Sequence, residues 1–335
     1  MKRSAITGHA TILATGSYVP ERIVTNNEIA MRAPTTDLWV RENLGINERR
    51  IASDVQVTSD LASHAALRAL ANAQLAAEEV DLIIVATATP DRLAPSTACI
   101  LQEKIGAHRA AAFDIAAVCS GFLYALTLAR SLVEAGHHRY VLVVGADTFS
   151  RITDWTRRDA VFFGDGAGAV IVGPCADGGI IHARLFADGR GQSAFTVPAG
   201  GSELPAHDCD RGDTRCFFQM DTKAVFETAT TVLPEAISQV LVETGFSVED
   251  VNLIVPHQPG IRILKRTAEA LGVPLERIAM NMDRYANTAG ATIPLLLDEV
   301  HAAGRVKSGD LVLLAAVGSG WTWGALLLRW NTSQD

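Results

Sequence analysis

The sequence predicts an α/β fold built from two matching halves. Three observations carry this. Short apolar runs of strand length alternate with helix-length segments, the pattern of mostly parallel sheets. The order of motifs in the first half returns in the second. The chain has 335 residues, more than one ordinary core holds. In the first half, Asp81-Leu-Ile-Ile-Val-Ala86 leads through a proline-containing loop and a helix to Phe113-Asp-Ile-Ala116 and Cys119. In the second, Asn252-Leu-Ile-Val-Pro-His257 leads through a helix to Ala279-Met-Asn-Met-Asp283 and Asn287. Asp81 to Cys119 is 38 positions and Asn252 to Asn287 is 35. The run 140–146 then corresponds to 311–317. The halves are expected to divide near 173–179, as 1–175 and 176–335, and to share a site where their strand ends face one crevice.

Taken in order, the first element is a helix from Ser59 or Asp60, either of which can cap it, to about Ala76. Ala62, Ala65, Ala66, Ala69, Leu70 and Ala73 recur there at helical spacing. A buried strand follows at 82–86. A helix runs from Cys119 to Glu134 and stops at Gly136, which suits a C-cap. Strands are expected at 140–146 and 169–173. Residues 189–216 are polar and turn-rich, so they read as a long surface excursion. A helix spans 222–244 and ends at Gly245, with Pro234 as a kink or break. Strands at 253–256 and 311–317 complete the second half.

Composition narrows the function. The chain is 48% hydrophobic and 20% charged, the profile of a well-buried globular protein. Its net charge of -8 argues against nucleic-acid binding, which needs a basic footprint. No apolar run is long enough to span a bilayer. The basic start, Met1-Lys-Arg, lacks the apolar core of a secretory signal. Five scattered cysteines fit a reducing cytoplasm better than a disulfide framework. Gly164-Asp-Gly-Ala-Gly168 precedes a strand instead of opening a helix, so it reads as a tight structural turn and not a dinucleotide loop. His207, Asp208, Cys209, Asp210, Asp213 and Cys216 match no familiar zinc spacing and read as a solvated loop.

Three residues carry chemistry. Cys119 ends a strand-like run and opens a helix, whose unpaired N–H groups and dipole favour thiolate, the nucleophilic form. His257 follows a buried strand directly. Asn287 lies in the small-residue turn Tyr285-Ala-Asn287-Thr-Ala-Gly290. A Cys, a His and an Asn at three strand-to-helix junctions can converge at the middle of such a fold.

The sequence resembles the thiolase-fold condensing enzymes, and most closely 3-oxoacyl-(acyl-carrier-protein) synthase III. The resemblance runs from Gly16-Ser-Tyr-Val-Pro20 and Gly45-Ile-Asn-Glu-Arg49 through the Cys119 segment and Phe163-Gly-Asp-Gly-Ala-Gly168. It closes with Pro256-His-Gln258, Asn287-Thr288 and Gly318-Ser-Gly-Trp-Thr-Trp323-Gly. It implies a layered α-β-α-β-α architecture. Cys119 would take an acyl group from acyl-CoA, and the N–H groups of Cys119 and Ser319 would form the oxyanion hole. A malonyl thioester would then lose carbon dioxide, with His257 and Asn287 as donors to the enolate, and attack the acyl-cysteine. The resemblance places Trp39 against the coenzyme A adenine, with Arg157 or Arg158 on its other face. It places Arg262 at the tunnel mouth, and Gly260 is taken with these as a substrate-contacting position. It further implies a homodimer and no cofactor beyond the coenzyme A thioester. Arg262, Lys265 and Arg266 share a helical face that suits an acidic carrier protein.

The chain departs from the family pattern at several positions. Pro259-Gly260 replaces Ala-Asn, Asn43-Leu44 replaces Arg-Thr, and Ala94 replaces a Phe that helps close the partner subunit's acyl pocket. Glu227 and Glu269 replace basic residues, and Ser319 and Trp321 alter the glycine-rich end. These changes leave the Cys–His–Asn set intact and bear on the substrates. Two other readings stay open: an acyltransferase serving a non-malonyl acceptor, and a catalytically silent partner subunit.

Overall fold

Runs rich in Val, Ile and Leu become the strands of two sheets. They appear in a computed structural model that describes residues 9–210 and 212–331. The basic start, residues 1–8, lies outside the described residues. In chain order the first elements are β1 (His9–Tyr18), β2 (Arg22–Thr25), α1 (Asn26–Ala30), α2 (Asp37–Leu44), β3 (Glu48–Ile51) and α3 (Thr58–Ala73). Next come β4 (Leu82–Ala86), α4 (Thr97–Ile105), β5 (Ala111–Ile115), α5 (Gly121–Glu134), β6 (Val141–Asp147) and β7 (Gly166–Cys175). The rest are β8 (Gly179–Ala187), β9 (Phe195–Thr196), β10 (Gln219–Met220), α6 (Thr222–Thr244), β11 (Leu253–Pro256) and α7 (Ile261–Leu271). The chain closes with α8 (Met282–Tyr285), α9 (Thr292–Ala302), β12 (Leu311–Gly318) and β13 (Thr322–Arg329).

The two sheets share one plan. The first has the order β1-β7-β6-β4-β5 and the second β8-β13-β12-β11. In each, two parallel neighbours (β4 and β6, β11 and β12) continue into two antiparallel ones. The run at Ala279 is the exception. It reduces to a single parallel bridge between Ile254 and Ile278. The Gln258 amide takes the place of the missing ladder, donating to the carbonyls of Pro256 and Ala279 and accepting from the Asn281 N–H. With those groups satisfied by a side chain, the backbone is free to turn into α8.

Five layers result. Helices α5 and α9 lie between the sheets, where Phe122, Leu126, Leu296 and Leu297 share a core with Ile84, Val143, Val255 and Leu314. Helices α3 and α4 cover the outer face of the first sheet through Ala62, Ala65, Ala69 and Leu101. Helices α6 and α7 cover the outer face of the second through Leu233, Ile237 and Leu264. Small residues on α3 let that helix lie close to its sheet.

Several boundaries differ from the sequence reading. Helix α3 begins at Thr58, because the Asp60 carboxylate accepts from the Val57 N–H and moves the start back. Val118–Ser120 form a separate 3-10 turn, so α5 starts at Gly121 and Cys119 lies just ahead of it. Pro234 does not break α6, which is one helix of 23 residues. Burial of Pro234 and its neighbours against the sheet outweighs a proline cost of about 3 kcal/mol. The 189–216 excursion is not wholly a surface feature. β9 pairs with β10, and Phe195 and Phe218 pack inward with Phe149 and Phe163.

The Gly164–Gly168 motif is more strand than turn. A Cβ on Gly168 would lie 2.4 Å from the backbone nitrogen of Leu295, so this position sets how closely α9 seats on β7. Gly168→Ala is expected to cost about 1–3 kcal/mol through overpacking. Gly201→Ala, with no neighbour within 4 Å, is expected to stay within about 0.5 kcal/mol of wild type. Urea unfolding of both variants checks this, and equal midpoints would refute it.

Candidate active site

The Cys119 turn is held by hydroxyls from both halves. Val118 adopts φ 46°, a costly conformation for a β-branched residue. The Ser120 and Thr322 hydroxyls lie 2.8 Å apart and reach the carbonyls of Ala117 and Ser319. These bonds tie the turn of the first half to the β12–β13 connection of the second. Gly318 makes the approach possible, since a Cβ there would lie 2.9 Å from the Ala117 carbonyl and 3.0 Å from the Cys119 nitrogen. Ser319 follows, with its hydroxyl donating to the Phe195 carbonyl at 2.5 Å.

Asn287 is fixed from both sides. Its N–H donates to the Phe162 carbonyl and its carbonyl accepts from the Gly164 N–H, each at 3.0 Å. Its side-chain oxygen accepts from the Ala289 N–H at 2.8 Å. The oxygen being engaged, the NH2 is the group left to act on a ligand. The flanking Ala286 and Ala289 have φ 58° and 49°, so the turn carries strain that the surrounding structure must hold. His257 follows β11, with its N–H donating to the Ala315 carbonyl at 2.8 Å. Its Nδ1 is buried and unpartnered among the described residues, which leaves Nε2 as the nitrogen open to the cavity.

Cys119, His257 and Asn287 are 9%, 2% and 7% exposed. All three line a single cavity of about 780 Å³. The same cavity is lined by Ser319, Trp39, Arg157, Arg158, Gly260 and Arg262, so it gathers every site residue picked out in the sequence. It runs from the buried trio to the exposed Arg158 and Arg262. The Arg158 guanidinium stacks over the Trp39 ring at 4.0 Å, Arg157 pairs with Asp159 at 2.7 Å, and Arg262 lies over Phe226. Pro259, Asn43, Leu44 and Trp321 also line the cavity, whereas Ala94 is exposed and outside it.

Electrostatics correct one expectation. Burial pushes the Cys119 thiol up, and the nearby Asp147 carboxylate pushes it further. The resting group is therefore a thiol, despite the helix that follows it. Burial also lowers His257 to about 3, so the imidazole is neutral at physiological pH. Asp147 is buried, which raises its carboxyl to about 6 against five hydrogen bonds that favour the charge.

Sequence reasoning missed Asp147, the Ser120–Thr322 pair and Phe195. A carboxylate closing the apolar run of β6 is the signal that marks Asp147. Phe195 sits in a polar segment with no periodicity to flag it. Among the described residues the 207–216 cluster forms no group of three or more ligands able to hold a metal. Asp213 is instead paired with Arg215 at 2.6 Å.

Comparison with known proteins identifies the family. Residues 113–189 match the family model 3-oxoacyl-[acyl-carrier-protein (ACP)] synthase III, and residues 241–330 match the model of its C-terminal part. The beta-ketoacyl-[acyl-carrier-protein] synthase III of Bordetella petrii is 46% identical over 327 residues, covering 96% of this chain and 98% of that protein. That of Caldanaerobacter subterraneus is 44% identical over 325 residues, with the same coverage. The Thermus thermophilus beta-ketoacyl-[acyl carrier protein] synthase III structure superposes with a TM-score of 0.90 at 43% identity, covering 96% of this chain and 99% of that one. The priming beta-ketosynthase of the R1128 polyketide pathway gives 0.90 at 32% identity, covering 98% of each chain. With identity of this level over nearly its whole length, the chain belongs to the 3-oxoacyl-[acyl-carrier-protein] synthase III family of thiolase-fold condensing enzymes.

Proposed function

We propose that this enzyme loads an acyl group from acyl-CoA onto Cys119 and condenses it with a malonyl thioester to give a 3-oxoacyl thioester. The observation that carries the reading is the meeting of Cys119, His257 and Asn287 in one cavity that reaches the surface at Arg158 and Arg262. In the first step the Cys119 sulfur bonds to the acyl carbon, coenzyme A departs, and the thiol proton leaves with it. The N–H groups of Cys119 and Ser319 receive the developing oxyanion. In the second step the malonyl group loses carbon dioxide. The enolate oxygen accepts from His257 Nε2 and the Asn287 amide, both neutral donors, and Asn287 cannot act as a base. The enolate carbon attacks the acyl-cysteine, and the released thiolate takes a proton from solvent. Coenzyme A thioesters are the only cofactor-like groups this scheme requires.

The Arg158 guanidinium already stacks on the Trp39 ring at 4.0 Å, so an adenine would stack on Trp39 only once Arg158 swings aside, with Arg157 beside them, and Gly260 leaves the pantetheine path open at the start of α7. Arg266 pairs with Glu269 at 3.1 Å, and Lys223 faces Glu227 at 3.8 Å. Arg262 and Lys265 remain as the cations on α7 for an acidic carrier protein. We assign the working form as a cytoplasmic homodimer with halves at 1–175 and 176–335. The half-exposed edge strand β5, with Phe113 exposed, supports a partner on that side. No described helix is long and apolar enough to cross a membrane.

Intact-protein mass spectrometry with a panel of acyl-CoAs, followed by malonyl-CoA or malonyl-carrier protein, tests the reading. A mass gain on Cys119 that malonyl discharges as a 3-oxoacyl product is the expected result. An acyl group that stays in place under malonyl would assign another acceptor. Cys119→Ala is expected to abolish loading. His257→Ala and Asn287→Ala are expected to load yet lose condensation by on the order of 100-fold or more. Unimpaired condensation by Asn287→Ala would remove the enolate role.

The state of His257 gives a second check. Its folded pKa lies below the unfolded value of about 6.5, so its contribution to stability is present above pH 6.5 and declines as pH falls toward 3. Its imidazole resonances in NMR are expected to stay those of the neutral ring from pH 8 to pH 5. A titration midpoint near 6.5 would rule out a permanently neutral donor.

A further inference from the structure

Asp147 is a buried charge for which the condensation scheme has no use. It closes β6 at the junction of the two halves, with no cation paired to it among the described residues. Its Oδ1 accepts from the Thr87 hydroxyl at 3.1 Å, the Ala88 N–H at 2.8 Å, and the Thr89 N–H and hydroxyl at 3.1 and 2.9 Å. Its Oδ2 accepts from the Gly290 N–H at 2.8 Å. Four bonds thus grip the loop after β4, and one crosses to the turn of the second half.

That single crossing bond reaches the site. Gly290 lies in the turn 289–291, and the adjacent Ala289 N–H donates to the Asn287 side-chain oxygen. The bonds to Phe162 and Gly164 fix the Asn287 backbone, but the amide direction depends on where Ala289 stands. Ala289 has φ 49°, a conformation that relaxes unless neighbours hold it. A carboxylate suits this task because it only accepts, and all five groups around it are donors. A buried carboxylate without such partners would cost several kcal/mol.

We propose that Asp147 is a positioning residue that holds the Asn287 amide in place for decarboxylation, acting through Gly290 and Ala289, and that it does not assist acyl loading. This rests on the condensation reading above. The arrangement has a cost elsewhere in the site. The charge faces Cys119 from β6 and opposes its thiolate. The groups bonded to Asp147 are Thr87, Ala88 and Thr89 from the loop after β4 and Gly290 from the second half, and its charge acts on Cys119 in the turn before α5. Cys119 is the one titratable group among them.

The test is Asp147→Asn, close in shape but without the charge, assayed in three ways on the full-length enzyme. Acyl-CoA loading of Cys119, followed by intact mass, is expected to remain within about threefold of wild type. Formation of the 3-oxoacyl product from malonyl thioester is expected to fall on the order of 100-fold. Alkylation of Cys119 by iodoacetamide is expected to accelerate at a given pH, its profile moving to lower pH as the opposing charge is lost. General damage would slow all three together, and that result would overturn the proposal, as would unchanged condensation. If Asp147→Asn fails to fold, Thr89→Val removes one donor and keeps the carboxylate. It is expected to show a smaller loss of condensation with loading retained, and a parallel loss of both would overturn the proposal. Wild-type enzyme that loads but does not condense malonyl would instead overturn the condensation reading itself.

Discussion

The contact between the Cys119 turn and Gly318 is the constraint that the rest of the structure serves. It brings the backbone of the first half within 3.0 Å of where any side chain at 318 would begin. The oxyanion donors proposed above come one from each side of this contact, so their separation is fixed by it. Two sheets can approach so closely at one point only if the layer between them is apolar, close-packed and free of slack. Helices α5 and α9 form that layer. The seating of α9 on Gly168 and the hydroxyl pair of Ser120 and Thr322 keep the approach from opening.

Desolvation governs the chemistry at this junction. A helix N-terminus is worth roughly 0.3–1 kcal/mol for a nearby anion, and up to about 2 when partly buried. Burial of a thiolate shifts its balance by more than that, and a carboxylate adds to the shift. The same burial keeps His257 neutral. The site therefore works without a standing ion pair. Loading exchanges one thiol for another with no net charge created. Loss of carbon dioxide moves the negative charge of the malonyl carboxylate onto the enolate oxygen, where uncharged donors converge in the proposed scheme. Such donors are worth more in a dry cavity than in water and need no reorganisation when the enolate forms.

Much of this was legible in the sequence because the signals were local. Apolar runs marked β4, β6, β11 and β12 almost to the residue, and His257 and Gly318 at the ends of β11 and β12 line the cavity. The features that escaped depend on partners far along the chain. Asp147 shows its role only beside Gly290, 143 positions away. Phe195 enters the cavity because β9 pairs with β10 and Ser319 bonds its carbonyl, 124 positions on. Gln258 replaces a strand ladder by folding its amide onto Ala279. The intrinsic penalty of Pro234 is local, and the sheet contact that overrides it is not. Likewise the helix after Cys119 was visible, but the burial that defeats its dipole was not.

The strand registers give the repeat a sharper meaning. Ala86 pairs with Gly145 on β6, and Pro256 pairs with Ala315 on β12. Thr87 thus stands in the first half where His257 stands in the second, and Asp147 stands where Val317 does. One strand end was put to chemical use in the second half, and its counterpart to structural use in the first. His257 faces the cavity as a donor, whereas Thr87 faces the Asp147 carboxylate. At the next junction the uses reverse. The first half supplies Cys119, the proposed nucleophile, and the second supplies Asn287 on a turn that Asp147 reaches through Gly290. Neither half contains a complete site, so the duplicated scaffold acts only as a joined pair. The bonds across the join fix the geometry as directly as the catalytic side chains do.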